Sequence, residues 1–224
     1  MWKKCMMFCM LCMTFCCGIC AFEKWKNQQI VATDNEYTAE QKKVAITFDD
    51  GPSPETTEKL LAGLAERNVK ATFFVIGKKA EECPELIKEI YDGGHLIGNH
   101  SYDHVNLGEL PEEEACDQIT HTNQVIYELT GEYPQYLRSP FGSTKTNLEC
   151  DVGMFEVLWD VDPRDWEVKD ADTIIERVVS DVGENDIILL HDGYDTSVIA
   201  AFAIIDILQA RGYEFVTVDE LIFE

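Results

Sequence analysis

Hydrophobic and polar positions alternate along most of the chain between short apolar runs and amphipathic stretches. The first run, 43–48 (KVAITF), is rich in β-branched and aromatic residues and leads into a Gly-Pro turn, which is typical of a buried strand. The stretch over 56–67 has Leu60, Leu61 and Leu64 on one side at helical spacing. The pattern therefore predicts a strand followed by a helix.

The same alternation continues to the end of the chain. It predicts further strands over 71–76, 96–97, 136–138, 155–160, 186–191 and 214–218, and further helices over 84–91, 111–129, 171–182 and 198–211. Alternating strands and helices indicate an α/β protein with a parallel sheet, either open and doubly wound or a barrel. The repeats contain no Gly-rich nucleotide loop, so we favour a (β/α) barrel of about seven parallel strands with outer helices, whose functional groups lie at the strands' C-terminal ends.

The N-terminal segment has a different character. An uncharged apolar run over 5–22 follows Lys3 and Lys4, as in an export signal or a membrane anchor. We predict that 1–22 is one of these two, that 23–41 is a polar linker and that 42–224 is a single folded domain. Either alternative places the domain outside the cytoplasm, secreted or membrane-anchored, and an uncleaved segment would bind the membrane.

Charge and cysteine usage narrow the possible partners. The formal charge is −24 over 224 residues, which argues against a nucleic-acid partner because a phosphate backbone would be repelled. We expect a monomer. Most of the nine cysteines lie in the apolar run, where Cys serves as a small hydrophobe. The others, Cys83, Cys116 and Cys150, are odd in number, so at least one should stay free.

Two carboxylates come directly after the first strand. Asp49 and Asp50 precede the Gly51–Pro52 turn. Adjacent carboxylates are costly to place together unless a cation lies beside them, and successive side chains diverge, so the two acids should have different roles. A solvent-facing Asx turn is the alternative interpretation.

Histidines follow two other predicted strands. His100 and His104 are four residues apart, which would place both on one face of a helical turn, where they could chelate a divalent metal together with Asp50. His191 ends the strand 186–191 and can act as a general acid or base near neutral pH. Metal and acid–base chemistry are thus predicted at the same end of the sheet.

Further polar residues occupy the ends of the remaining strands. Arg138 enters the turn SPFG, and Asp165 and Trp166 close the segment DPRDW. Each could be an ordinary surface charge, turn residue or core aromatic. Their common placement at strand ends is what indicates a site.

The segments TFDDGP, NHSYDH, RSPFG, DPRDW and ILLHD, in this order, resemble the five motifs of polysaccharide deacetylases, the NodB-homology or carbohydrate esterase family four. The resemblance spans roughly 42–222. It implies a distorted (β/α) barrel and a hydrolase that removes N-acetyl groups from amino sugars of a polysaccharide, with peptidoglycan N-acetylglucosamine as the expected substrate. An acetylxylan-type O-acetyl esterase and a non-catalytic glycan-binding relative remain alternatives.

The resemblance also implies a role for each motif residue. Asp50, His100 and His104 would hold a divalent ion, zinc by preference, with cobalt or another divalent ion as alternatives. Asp49 would be the general base, oriented by Arg138, and His191 the general acid, tuned by Asp165. The Phe141 backbone N–H would help hold the oxyanion, and Trp166 and Leu189 would line the acetyl pocket. Ser139 stands where a second proline is usual and Phe141 where tyrosine is frequent, departures that bear on substrate preference.

Overall fold

The computed structural model describes residues 42–143, 150 and 153–223. The signal or anchor predicted over 1–22 and the linker predicted over 23–41 lie outside these residues. No helix within the described ranges combines the length and apolar character needed to cross a bilayer.

Strands and helices alternate through the described chain. The strands are β1 (Lys42–Gly51), β2 (Thr72–Val75), β3 (Leu96–Asn99), β4 (Tyr136–Leu137), β5 (Phe155–Glu156), β6 (Asp186–His191) and β7 (Tyr213–Phe215). The helices are α1 (Pro54–Glu66), α2 (Gly77–Glu82), α3 (Pro84–Asp92), α4 (Glu112–Thr130), α5 (Ala171–Asp181), α6 (Asp195–Ala210) and α7 (Val218–Phe223). All pairings between these strands are parallel, in the order β5-β4-β3-β2-β1-β6, and β7 pairs with the start of β1.

The chain after β5 bridges β4, near one edge of this sheet, and β6, at the other edge. On one side, Val157 N donates a hydrogen bond to Leu137 O of β4 at 2.8 Å. On the other side, Leu189 N of β6 donates to Val161 O at 3.0 Å. The sheet therefore curls into a distorted (β/α) barrel, and this prediction is confirmed.

β1 is buried on both of its faces. Val44, Ile46 and Phe48 belong to the large core cluster between the sheet and the outer helices, whereas Ala45 belongs to a second cluster with Phe74. A strand buried on both faces reads as a continuous hydrophobic run, which explains why the sequence pattern identified it. This packing fixes the point at which the chain leaves β1, just where the paired carboxylates stand.

One local prediction is wrong. His100 and His104 do not lie on a helical turn, because residues 100–104 form a loop. Ser101 and His104 have positive φ angles of 61° and 55°, and left-handed residues cannot continue a right-handed helix.

Two further differences have simple causes. The strand predicted over 155–160 ends at Glu156, since the chain then crosses from β4 towards β6. Helix α2 was not predicted, because its sequence GKKAEE has no apolar periodicity.

The cysteines of the folded part divide as expected. Cys116 and Cys150 form a disulfide, and Cys83 is free. The prediction that at least one of the three stays unpaired is confirmed.

Candidate active site

The barrel brings the C-terminal ends of four strands together. Asp49 of β1 is in register with His191 of β6, and Asn99 of β3 is in register with Leu137 of β4. The next residues along the chain, 50, 100 and 138, therefore leave the sheet at the same end. This register is why motifs far apart in sequence meet in space.

Asp50, His100 and His104 form a cluster with the donor atoms of a metal site. Asp50 Oδ1 lies 3.1 Å from His104 Nε2 and 3.3 Å from His100 Nε2, and the potential ligand atoms all lie within 4.8 Å of one another. Two imidazole nitrogens and one carboxylate oxygen are a common ligand set for catalytic zinc, which keeps positions open for water and substrate.

A test of fit comes from the hydrogen bonding of Asp50. Its Oδ1 atom is buried and accepts no hydrogen bond, although both imidazole nitrogens lie within hydrogen-bonding distance. A buried oxygen without a partner is costly, and a cation shared by the three residues would satisfy it. The residues present therefore fit a divalent ion.

Neighbouring groups hold the three side chains in place. Asp50 has a positive φ of 71° within a register shift between β1 and β2, and Lys79 Nζ donates to its carbonyl oxygen at 2.7 Å. His100 Nδ1 lies 2.6 Å from Arg138 O, which leaves Nε2 directed at Asp50. A ring nitrogen held by a carbonyl in this way orients the other nitrogen for a metal.

The charge state of Asp50 follows from these neighbours. Burial raises the pKa of Asp50, but the adjacent imidazoles of His100 and His104 outweigh burial and hold the pKa well below its usual range. Asp50 is therefore an anion, as a metal ligand must be.

Asp49 lies beside the cluster, buried and anchored on one side. Its Oδ1 accepts a hydrogen bond from Arg138 Nη1 at 2.8 Å, and its Oδ2 lies 3.8 Å from His100 Nε2. Arg138 is fully buried and also donates to Thr47 Oγ1 at 2.7 Å and to two carbonyl oxygens of the chain after β5 at 3.0 and 2.9 Å. Burial lowers the pKa of Arg138, and Asp49 opposes that shift. One carboxylate oxygen is thus fixed and the other faces the cluster.

His191 and Asp165 form a second charged pair across the site. His191 Nδ1 lies 2.7 Å from Asp165 Oδ1, and the His191 backbone N–H donates to Asp165 Oδ2 at 2.8 Å. Asp165 is fully buried and also accepts from the Ser197 hydroxyl. Burial lowers the pKa of His191, but the hydrogen bond and charge of Asp165 outweigh it and raise the pKa to about 9.

A cavity of about 540 Å³ opens above these groups. Leu189 is buried in its wall, whereas Trp166 and Phe141 are 45% and 68% exposed at its rim. The Phe141 ring lies 4.9 Å from the His104 ring, and Phe141 has a positive φ of 62°, a strained conformation for a residue with a β-carbon. The lining residues are Asp49, Asp50, His100, His104, Ser139, Phe141, Trp159, Asp162, Trp166, Leu189 and His191.

The structure brings every predicted site residue to this region. Arg138 and Asp165 lie beneath the cavity and act through Asp49 and His191 by hydrogen bonding. The sequence did not single out Trp159, which lines the cavity from the segment after β5, nor Lys79, which bonds the Asp50 carbonyl. Neither carries a local signal, since Trp159 reaches the cavity through barrel closure and Lys79 reaches Asp50 through the packing of α2 beside β1.

Residues 36–153 match the family model described as Polysaccharide deacetylase. This match covers more than half of the chain, and the relatives below are consistent with it. The chain belongs to the polysaccharide deacetylase family.

Curated relatives include peptidoglycan deacetylases of Bacillus species. The chain is 38% identical over 201 residues to peptidoglycan-N-acetylmuramic acid deacetylase PdaC of Bacillus subtilis, covering 89% of this chain and 43% of that protein. It is 37% identical over 204 residues to a peptidoglycan-N-acetylglucosamine deacetylase of Bacillus cereus, covering 88% of this chain and 74% of that protein. The chain thus spans less than half the length of PdaC.

Solved structures share the fold. The structure of Bacillus subtilis PdaC superposes with a TM-score of 0.79 at 41% identity, covering 81% of this chain and 90% of that one. A carbohydrate esterase family four pseudoenzyme from Bacillus anthracis superposes with a TM-score of 0.76 at 30% identity, covering 81% and 66%. The fold alone therefore does not establish activity, because activity depends on which residues occupy the site.

Proposed function

We propose that the chain is a metal-dependent hydrolase that removes N-acetyl groups from amino sugars of a polysaccharide, with peptidoglycan N-acetylglucosamine as the substrate. One observation carries the proposal: an anchored carboxylate, Asp49, lies beside a complete set of three metal-ligand atoms, and His191 faces the same cavity. A base, a metal site and an acid around one cavity are the parts that amide hydrolysis needs.

Asp50, His100 and His104 would hold the ion, for which we propose zinc. When bound, a divalent ion polarises the acetyl carbonyl and lowers the pKa of a water molecule. Asp49 takes the proton of the attacking water at Oδ2, because Arg138 occupies Oδ1. The two adjacent carboxylates have different roles because Asp49 is bonded to Arg138 whereas Asp50 lies against the two histidines.

His191 supplies the proton that the departing amine needs. Its Nδ1 is held by Asp165, so Nε2 is the atom available to the cavity. With a pKa raised to about 9, the imidazole carries this proton at neutral pH. A sugar amine is a poor leaving group unless it is protonated, so an acid at this position is required.

The cavity suits one sugar unit of a polymer. Its volume of about 540 Å³ lies within the usual range for ligand pockets, and the exposed aromatic rings of Trp166 and Phe141 at the rim suit contact with the face of a sugar ring. The buried Leu189 provides an apolar wall for the acetyl methyl. We propose that the chain acts as a monomer outside the cytoplasm, on the cell wall.

Acetate release by the purified chain tests the function. The assay compares peptidoglycan, N-acetylglucosamine oligomers and acetylated xylan, each with zinc, cobalt or chelator. We expect chelator-sensitive acetate from the amino-sugar substrates. Acetate from xylan alone would favour the O-acetyl esterase, and no acetate from any substrate despite bound metal would favour a glycan-binding role.

Two variants separate the base from the metal site. Asp49→Asn should lower kcat by about 10²–10⁴-fold, the usual contribution of a general base, while zinc binding is retained. His100→Ala should lose both zinc and turnover, because it removes one of three ligands. Zinc content by mass spectrometry and acetate release measure the two effects. Full turnover by Asp49→Asn with bound metal would refute the base assignment.

A further inference from the structure

The loop that carries both histidine ligands has little internal support. Residues 100–104 are not helical, and Ser101 and His104 have left-handed backbone conformations. Left-handed residues with a β-carbon cost free energy and persist only where the surroundings hold them. The position of His104 relative to Asp50 must therefore be set by contacts from outside the loop.

Three contacts hold the first half of this loop. Asn99 Oδ1 accepts from Ser101 N at 2.8 Å, and Gly77 N of α2 donates to Ser101 O at 3.0 Å. Lys78 N of α2 donates to Tyr102 O at 3.1 Å. The backbone N–H groups that follow Ser101 need a separate acceptor.

Gln118 of helix α4 provides that acceptor. Its Oε1 accepts from Tyr102 N at 3.1 Å and from Asp103 N at 2.8 Å, and its Nε2 donates to Asp103 Oδ2 at 3.2 Å. One amide thus bonds two successive backbone N–H groups and the side chain of the second residue. These groups immediately precede His104, whose backbone has a positive φ.

We propose that Gln118 is a positioning residue that sets His104 at metal-binding distance from Asp50. The inference rests on the proposed metal site. Gln118 touches no ligand atom and acts through the backbone of Tyr102 and Asp103. Groups that orient metal ligands in this way typically contribute about 10–100-fold to metal affinity or activity.

The fold does not depend on this side chain. Helix α4 packs through Ala115, Ile119, Val125 and Ile126 on its buried face, whereas Gln118 is only half-buried at the margin. Replacing it should thus leave the core of the helix in place. Metal affinity and stability should respond differently, and this difference makes the proposal testable.

The first experiment measures zinc affinity of the full chain by competition with a chromophoric chelator. Free thiols are first alkylated with iodoacetamide, so that the N-terminal cysteines and Cys83 do not compete for the metal. His104→Ala gives the baseline without the site. Gln124→Ala, on the same helix but bonded to Glu128 and Tyr133, is the matched control.

We expect Gln118→Ala to weaken zinc binding by about 10–100-fold, with Gln124→Ala unchanged. The thermal midpoint of the metal-free Gln118→Ala chain should stay close to that of the parent. Its kcat should recover at saturating zinc, because the anchor shifts the position of a ligand and takes no part in the chemical step.

A second experiment exchanges donor and acceptor. Gln118→Glu keeps an acceptor for both N–H groups but faces Asp103 with a like charge, so zinc binding should weaken. Adding Asp103→Asn restores a donor–acceptor pair and should return zinc affinity to within about threefold of the parent, a coupling typical of residues in contact. Asp103→Asn alone loses the exposed ion pair with Lys78 but keeps one oxygen that can accept from Gln118 Nε2, and it is the reference for the double variant.

Three results would count against the inference. Zinc affinity of Gln118→Ala equal to that of the parent would overturn it. A fall in affinity matched by an equal loss of metal-free stability would assign Gln118 a merely structural role and overturn it as well. If the parent binds zinc no better than His104→Ala does, the proposed metal site itself is overturned. Comparing these two chains therefore separates failure of the metal site from failure of the Gln118 inference.

Discussion

At the scale of single residues, His191 owes its charge to Asp165. The two share a ring hydrogen bond and a backbone hydrogen bond, and Asp165 has no exposure to solvent. Burial by itself would lower the pKa of His191, so the value of about 9 depends on the carboxylate. Asp165→Asn removes the charge and keeps the shape. The pKa of His191 should then fall from about 9 towards 6.5, the ordinary histidine value, while the charges of Asp49 and Asp50 still raise it.

Proton NMR titration of the metal-free chain measures this pKa directly. The same pKa shift makes the stability of the fold depend on pH. Because the pKa of His191 is raised in the folded state, its contribution to the free energy of unfolding is full below pH 6.5 and is lost as pH rises through about 9. Urea unfolding should show this loss in the parent and a smaller loss in Asp165→Asn. A pKa of His191 that stays near 9 in the variant would contradict the prediction.

Much of the candidate site could be predicted at this scale, because its residues occupy strand ends and match family motifs. Asp49, Asp50 and His191 each stand at the end of a strongly apolar strand, which fixes their end of the barrel. Gln118 and Lys79 could not be predicted. Gln118 on α4 bonds a loop 15 or 16 residues earlier in the chain, and Lys79 on α2 bonds the end of β1. Both contacts depend on tertiary packing, which no local sequence pattern indicates.

At the scale of elements, the turn after β1 is packed against the loop after β6. Asp192 is fully buried, and a β-carbon added at Gly51 would lie 2.2 Å from its Oδ2 atom. Thr57 donates to the same oxygen at 2.6 Å, which leaves the carboxylate little freedom to move. Only glycine fits at this position in β1.

Gly51→Ala should therefore destabilise the fold by about 1–3 kcal/mol, the usual cost of overpacking a buried site. It should also lower kcat, because Asp49 and Asp50 lie directly before the displaced residue. Urea unfolding and acetate release are the measurements. Gly153→Ala is the control, since a β-carbon there has no atom of the described residues within 4 Å. A stable and fully active Gly51→Ala chain would show that the turn can shift without cost.

Elements were predictable where one physical pattern dominated. β1 and β6 are short apolar runs, and α4 has a long amphipathic period, so their positions followed from the sequence. The loop over 100–104 was misjudged because the spacing of two histidines suits a helix equally well. Its actual conformation depends on contacts from α2 and α4, which spacing does not encode.

At the scale of the whole molecule, one covalent link joins distant segments. The Cys116–Cys150 disulfide connects α4 to the chain beyond β4, across 34 residues of sequence. Such a link restricts the unfolded chain, and a loop of this length corresponds to about 3–4 kcal/mol of stability. Disulfides form and persist mainly in the oxidising environment outside the cytoplasm, which agrees with the compartment proposed for this chain.

Removing the link should therefore be costly, whereas the remaining thiol should be dispensable. The double variant Cys116→Ser, Cys150→Ser should lose about 3 kcal/mol of unfolding free energy, and a reductant should destabilise the parent by a similar amount. Cys83→Ser, at the free cysteine, should unfold like the parent and keep its response to reductant. Urea unfolding with and without reductant gives all of these values. Parent and double variant unfolding at the same urea concentration without reductant would mean that the disulfide contributes no net stability, and the three-dimensional arrangement of α4, including Gln118, would then rest on its packing alone.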